Sequence, residues 1–310
     1  MERRPIQSMP VSVVGLGCNN FGMRIEYEGS KRVVDACLDA GINFFDTADV
    51  YGGSKSEEYL GRALGSRRSQ AIVATKFGAK LDDERHGAKP AYIKRAVEDS
   101  LKRLGTDYID LYQLHVPDPH VPVAETLGAL DELVKAGKVR AIGCSNFSAE
   151  QLGDAEGAVA PGAARFVSVQ NHYSLLHREP EPEVLPACRR LNLAFLPYFP
   201  LASGVLTGKY VSGQPAPANS RLSLEWTERF RTEQNIEIAE KLKAFAQQRG
   251  HTLLELAMSW LVARPAVTSI IAGATSPEQV RANAAAVSWR LTEEEIAEID
   301  GIATKEDGES

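Results

Sequence analysis

The sequence predicts a (β/α)₈ barrel, an α/β fold with its active site at the C-terminal face of the strands, on three observations. Short β-branched or aromatic runs alternate with longer amphipathic ones, the alternation can be traced eight times, and nearly every short run ends in a polar or aromatic functional group. Alternation of this kind marks repeated βα units and a parallel sheet. An open doubly wound sheet alternates too, so the polar strand ends decide: barrel enzymes draw their reacting residues from that one face.

In chain order the strands are expected at residues 11–17, 42–46, 70–76, 108–114, 139–144, 166–170, 193–198 and 268–272. Between them the helical stretches include Lys31 to Ala40, Ala91 to Leu104, Val123 to Lys135 and Val280 to Val287. Helix starts carry capping-box pairs, Ser54 with Glu57, Ser148 with Gln151 and Ser276 with Gln279, in which a hydroxyl accepts an orphan amide and the longer side chain reaches back. Residues 201–232, rich in Gly and Pro, form a long excursion after the seventh strand; long loops on compact barrels carry function. No stretch reads as a linker, so 1–310 is taken as one domain, within the range of α/β barrels.

Hydrophobic residues at 44% and charged residues at 25% suit an ordinary globular core. A net charge of −6 offers no global field for nucleic acid or an anionic membrane, so any phosphate must be held locally. Cys18, Cys37, Cys144 and Cys188 are scattered and form no CxxC pair, which excludes a disulfide framework and a zinc knuckle and makes a reducing, cytoplasmic setting the default. Residues 1–10 lack an apolar signal core, and no run approaches the roughly 18 apolar residues of a membrane span.

The strand ends read Asp46, Lys76, His115, Ser145 with Asn146, Gln170, Tyr198, and Gly273 with Thr275. Asp46 closes an apolar run and Tyr51 follows in a turn with Gly52 and Gly53; Lys76 and His115 close the next two strands. Tyrosine is a poor acid, near 10. A neighbouring ammonium such as Lys76 is expected to lower that value, and a buried Lys76 needs a counter-charge, which Asp46 supplies. His115 can hydrogen-bond the tyrosine or a carbonyl oxygen. The set suits protonation of an oxygen that gains negative charge as hydride arrives at carbon, and the hydride must come from a cofactor.

At these residues the chain resembles the aldo-keto reductase superfamily. GINFFDTADVYG at Gly41 to Gly52 looks like that family's GxxxFDTAxxYG signature, and SLKRLGTDYIDLYQLH at Ser100 to His115 like its second one. IGCSNF at Ile142 to Phe147 and IAGATSPEQVRAN at Ile271 to Asn283 match two more. The resemblance implies carbonyl reduction with NADPH, NADH being the alternative, and a catalytic set of Asp46, Tyr51, Lys76 and His115. It places Ser145, Asn146 and Gln170 on the carboxamide and stacks Tyr198 on the nicotinamide. It puts Leu201, Gly204, Leu206 and Lys209 around the pyrophosphate, and Arg221, Thr275, Gln279 and Asn283 near the adenosine and its 2′-phosphate. Gly273 and the Gly17, Cys18 and Asn19 stretch complete the cofactor set, and no metal is expected. A helix starting at Ser276-Pro277 would offer free amides to an anion, although Glu278 opposes it.

The chain departs from the family at Phe199, where a Ser hydroxyl is common, and at Cys18-Asn19-Asn20. Substrate walls are expected from Asn20, Met23, Phe77, the 117–121 segment and Trp226, and the short stretch after Ala303 is read as leaving the site open. The partner is a small carbonyl compound; the oligomeric state stays open. Two rivals remain. Gly15-Leu16-Gly17 with Asp35 could be a dinucleotide loop, but its third glycine is absent. A regulatory cofactor-binding protein akin to potassium channel β subunits shares the same fold, whereas a metal-dependent hydrolase would need an HxH pair, which His120, His172 and His177 do not form.

Overall fold

The computed structural model describes residues 1–210 and 225–304. Two strands, β1 (Arg3–Ile6) and β2 (Met9–Ser12), pair as an antiparallel hairpin. Eight more follow: β3 (Val14–Gly17), β4 (Phe44–Asp46), β5 (Ile72–Phe77), β6 (Ile109–Leu114), β7 (Val139–Ser145), β8 (Phe166–Gln170), β9 (Ala194–Phe195) and β10 (Ile270–Gly273). All eight are parallel, in the order β10-β3-β4-β5-β6-β7-β8-β9. The seam between β9 and β10 is closed by Phe195 N–H to Ala266 O at 3.1 Å, Thr268 N–H to Phe195 O at 2.9 Å and Ile271 N–H to Pro197 O at 2.9 Å. The sheet is thus a (β/α)₈ barrel.

Helices α1 (Tyr27–Asp39), α2 (Lys55–Leu64), α3 (Pro90–Leu104), α4 (Val123–Lys135), α5 (Ala149–Gly157) and α6 (Val184–Leu191) each join successive strands. Two helices, α7 (Glu233–Gln248) and α8 (Leu253–Val262), lie between β9 and β10, and α9 (Pro277–Ala285) and α10 (Glu293–Ala303) follow the last strand. Pro90 opens α3, where its missing N–H is harmless, and Gly105 ends it at φ 63°.

Side chains alternate across each strand, which divides the core in two. Outward residues pack under the helices, while Phe44, Ala74, Leu111, Ala141, Val167, Ala194, Leu196 and Ile271 fill the barrel. Ile6 and Val11 of the hairpin join this inner cluster and plug its N-terminal end.

The first expected strand, 11–17, is therefore two elements: residues through Ser12 belong to the plug, and only Val14 onward enters the barrel. The seventh is shortened to Ala194–Phe195, because Pro197 has no amide to donate. Of the capping pairs, Ser148 and Gln151 form a full box. Ser276 accepts from the Gln279 amide, but Gln279 Oε1 accepts from Thr275 N–H at 2.8 Å instead of reaching back. Ser54 caps nothing: its hydroxyl donates to Asp49 O at 2.7 Å, and Glu57 turns inward. Among the described residues no helix is long and apolar enough to cross a membrane.

Candidate active site

The apolar plug ends where polar chemistry begins. Asp46 lies two residues beyond Phe44, Lys76 two beyond Ala74, and Gln113 two beyond Leu111, so alternation points all three inward one layer above the plug. Lys76 Nζ donates to Asp46 Oδ2 at 2.6 Å and to Thr47 O at 2.9 Å, and lies 3.5 Å from the Tyr51 hydroxyl. Asp46 Oδ1 accepts from Gln170 Nε2 at 2.8 Å and Gln113 Nε2 at 3.3 Å, so both carboxylate oxygens are engaged. The Tyr51 and His115 rings meet edge to face, with centroids 5.7 Å apart.

Gln170 owes its direction to an irregularity. Ile142 pairs with Phe166 but Cys144 with Val169, so β8 carries an extra residue at that point. Such a bulge reverses the alternation: Val167 faces the barrel interior, Val169 faces the helices, and Gln170 returns inward to Asp46.

Tyr51 is held by its turn. Gly52, at φ 58°, lies so close to the neighbouring loop that a Cβ there would sit 2.3 Å from Phe21 O. Asp49 N–H donates to Lys76 O at 3.0 Å, tying the turn to the strand that bears the lysine.

Burial and charge set the protonation states. Burial raises the Tyr51 pKa; Lys76 opposes this without cancelling it, so the net shift is upward, contrary to the sequence expectation. Burial by itself would lower Lys76, but Asp46 and Tyr51 outweigh it and hold the ammonium above its usual value. His115 is pushed down to about 3, by burial first and Lys76 second, and is neutral.

A cleft of about 880 Å³ opens over this cluster. Gly17, Asn19, Asp46, Ser145, Asn146, Gln170 and Tyr198 line its inner part, Leu201, Gly204 and Lys209 one arm, and Gly273, Thr275, Gln279 and Asn283 the far end. Asn20 and Met23 stand at the wall near Tyr51. The Tyr198 hydroxyl donates to Asn146 Oδ1 at 2.8 Å, Asn146 Nδ2 to His115 O at 3.0 Å, and Ser145 Oγ to Gln170 O at 2.7 Å.

Phe77, Cys18 and Leu206 lie off the cleft lining, as do the fully buried Lys76 and the 117–121 segment expected as a substrate wall. Phe77 is fully buried and stacked on Tyr112, because Lys76 points inward and its neighbour must point out. Cys18 is fully buried with Sγ directed at Leu16 O, and its carbonyl accepts from Ser56 Oγ at 2.9 Å. Leu206 is buried against the core, its amide bonded to Leu201 O. Arg221 and the side chain of Trp226 lie outside the described residues.

Several residues escaped the sequence reading. Gln113, two before His115 on one strand, was open to detection by alternation; Ser203, Leu254 and Arg24 line the cleft from loops and a helix that no strand-end rule reaches. Two buried acceptor or hydroxyl atoms of lining residues, Asn20 Oδ1 and Ser203 Oγ, have no hydrogen-bond partner among the described residues. Asn20 Nδ2 donates to Ala274 O at 3.3 Å, which leaves its buried Oδ1 unsatisfied among the described residues. Among the described lining residues the one acid, Asp46, is paired with Lys76, and Lys209 brings a cation to the other arm. An elongated ligand bearing hydroxyls and phosphates fits these groups.

The aldo/keto reductase family model matches residues 13–304. Aldo-keto reductase YhdN of Bacillus subtilis is 38% identical over 302 residues, covering 94% of this chain and 89% of the relative. A probable aldo-keto reductase of Glycine max is 34% identical (94% and 86% covered), and a probable voltage-gated potassium channel subunit beta of Oryza sativa is 35% identical (91% and 89% covered). With the closed barrel and a match that runs from its first barrel strand, β3, through α10, the chain belongs to the aldo/keto reductase family.

Proposed function

We propose that this protein reduces aldehydes or ketones to alcohols with NADPH, reversibly, Tyr51 being the proton donor. The observation that carries the reading is the buried Asp46–Lys76 pair beside the Tyr51 hydroxyl. NADPH bound along the cleft would supply hydride to the carbonyl carbon. Tyr51, kept protonated by burial, donates its proton to the carbonyl oxygen. Lys76 stabilises the tyrosinate left behind, and Asp46, its second oxygen occupied by Gln113 and Gln170, keeps Lys76 charged and aimed. Neutral His115 offers an N–H to the same oxygen without adding charge.

Ser145, Asn146 and Gln170 would hold the carboxamide and Tyr198 the nicotinamide face; Leu201, Gly204 and Lys209 the pyrophosphate; Thr275, Gln279 and Asn283 the adenosine. Arg221 would take the 2′-phosphate. Glu278, the unfavourable acid at the start of α9, is engaged by Arg281 at 2.9 Å, which softens its field. A second reading, a cofactor-binding regulatory protein, is favoured by relatives named as probable potassium channel β subunits in rice and Arabidopsis thaliana.

The test is oxidation of NADPH by a panel of aldehydes, with Tyr51→Phe alongside. The reductase reading expects turnover by the wild type, lost in the variant while cofactor binding persists. Rates unchanged in Tyr51→Phe would remove the proposed donor; NADPH binding with no turnover of any carbonyl would favour the regulatory reading. Equal dissociation constants for NADPH and NADH would remove the 2′-phosphate role.

A further inference from the structure

Tyr198 lines the cleft, and its ring belongs to a column of rings that continues away from it. Tyr198 N–H donates to Asn171 O at 3.1 Å and Tyr173 N–H to Tyr198 O at 3.4 Å, so His172 and Tyr198 are bridged neighbours on adjacent parallel segments. Their ring centroids lie 5.6 Å apart at 18°, and His172 also stacks on His177 at 3.7 Å and 8°. Phe199 and Phe230 close on His172 edge-on at 5.7 and 5.6 Å.

We propose that His172 is a positioning residue that sets the ring plane of Tyr198 for stacking against the nicotinamide; this rests on the cofactor reading above. The Tyr198 hydroxyl bond to Asn146 cannot do this alone. A tyrosine hydroxyl lies on the axis through Cβ and Cγ, so a bond there pins the tip and leaves the ring free to turn about that axis. A flat neighbour packed on one face removes the freedom.

The imidazole acts here as a plate. Its Nε2 is buried without a partner among the described residues, so hydrogen bonding at that atom is not what places it. Burial, then His177 and Arg229, push it down to about 3, so it stacks uncharged and adds no repulsion behind a cationic oxidised nicotinamide. An aromatic hydrocarbon should therefore replace it, whereas an aliphatic side chain of similar bulk should not.

The experiment is titration of the full chain with NADPH, followed by fluorescence, for the wild type, His172→Leu and His172→Phe, each also in a Tyr198→Ala background, with thermal melts of every variant. His172→Leu should weaken NADPH binding about five- to tenfold, His172→Phe less than about twofold, and the Leu effect should fall below about twofold once Tyr198 is Ala. Wild-type affinity in His172→Leu would overturn the proposal, as would an undiminished loss in the Tyr198→Ala background, which marks a role not exerted through Tyr198. Equal losses in Leu and Phe would overturn it as well. Absence of NADPH binding to the wild type is a separate result, and it would overturn the cofactor reading together with this inference.

Discussion

Lys76 Nζ lies 2.6 Å from Asp46 Oδ2 with both side chains almost wholly buried. Two charges removed from water are tolerable only as a pair, and removing one strands the other. Lys76→Met should therefore destabilise the protein by about 3–5 kcal/mol, and adding Asp46→Asn should restore part of it. Urea unfolding of the single and double variants measures this; a double variant as unstable as the sum would exclude the coupling.

His115 titrates near 3 in the fold but near 6.5 unfolded. The unfolded chain binds more protons between those values, so this group removes stability as pH falls from about 6.5 toward 3. It should also stay neutral throughout the working range, so kcat/KM should show no inflection from His115 between about pH 5 and 8. Imidazole NMR titration checks the state directly, and a midpoint near 6.5 would contradict it.

Asp49 is buried and pushed up to about 7, by burial first and Glu57 second, with Tyr92 and Arg103 opposing. Tyr92 donates to one of its oxygens at 3.2 Å. Its pKa is higher folded than unfolded, so stability is lost as pH rises from about 4 to about 7. Asp49→Asn should raise the melting temperature relative to wild type more at pH 8 than at pH 5. A gain independent of pH would mean that the carboxyl is not the titrating group.

Adjacent glycines separate close approach from backbone strain. Gly52→Ala would drive a methyl to 2.3 Å from Phe21 O and displace the turn carrying Tyr51, whereas a Cβ on Gly53, also at positive φ, meets open space. Gly53→Ala should cost only the left-handed strain, about 1–2 kcal/mol. Gly52→Ala should cost more and also lower kcat for carbonyl reduction at least about tenfold, since a 1 Å misplacement has that scale of effect. Equal kcat in both variants would show that the close contact does not position Tyr51.

Much of the barrel was legible because hydrophobic periodicity and strand-end polarity are local. The matches at Ile109–Leu114 and Val123–Lys135 are of that kind, and strand-end residues such as Asp46, Lys76 and Tyr198 are brought together because parallel strands end on one face. The hairpin plug was hidden inside one apolar run, since Val11 and Val14 are equally hydrophobic while serving different ends of the fold.

What the sequence determined alone was the set of chemical groups and the order in which strands deliver them. Tertiary structure decided their direction and charge. A bulge in β8 turned Gln170 toward Asp46, inward alternation sent Lys76 into the site and Phe77 out of it, and the surrounding barrel desolvated the half-buried Tyr51 enough to raise its pKa despite the lysine beside it. Desolvation depends on everything that surrounds a group, and no local pattern of residues encodes that.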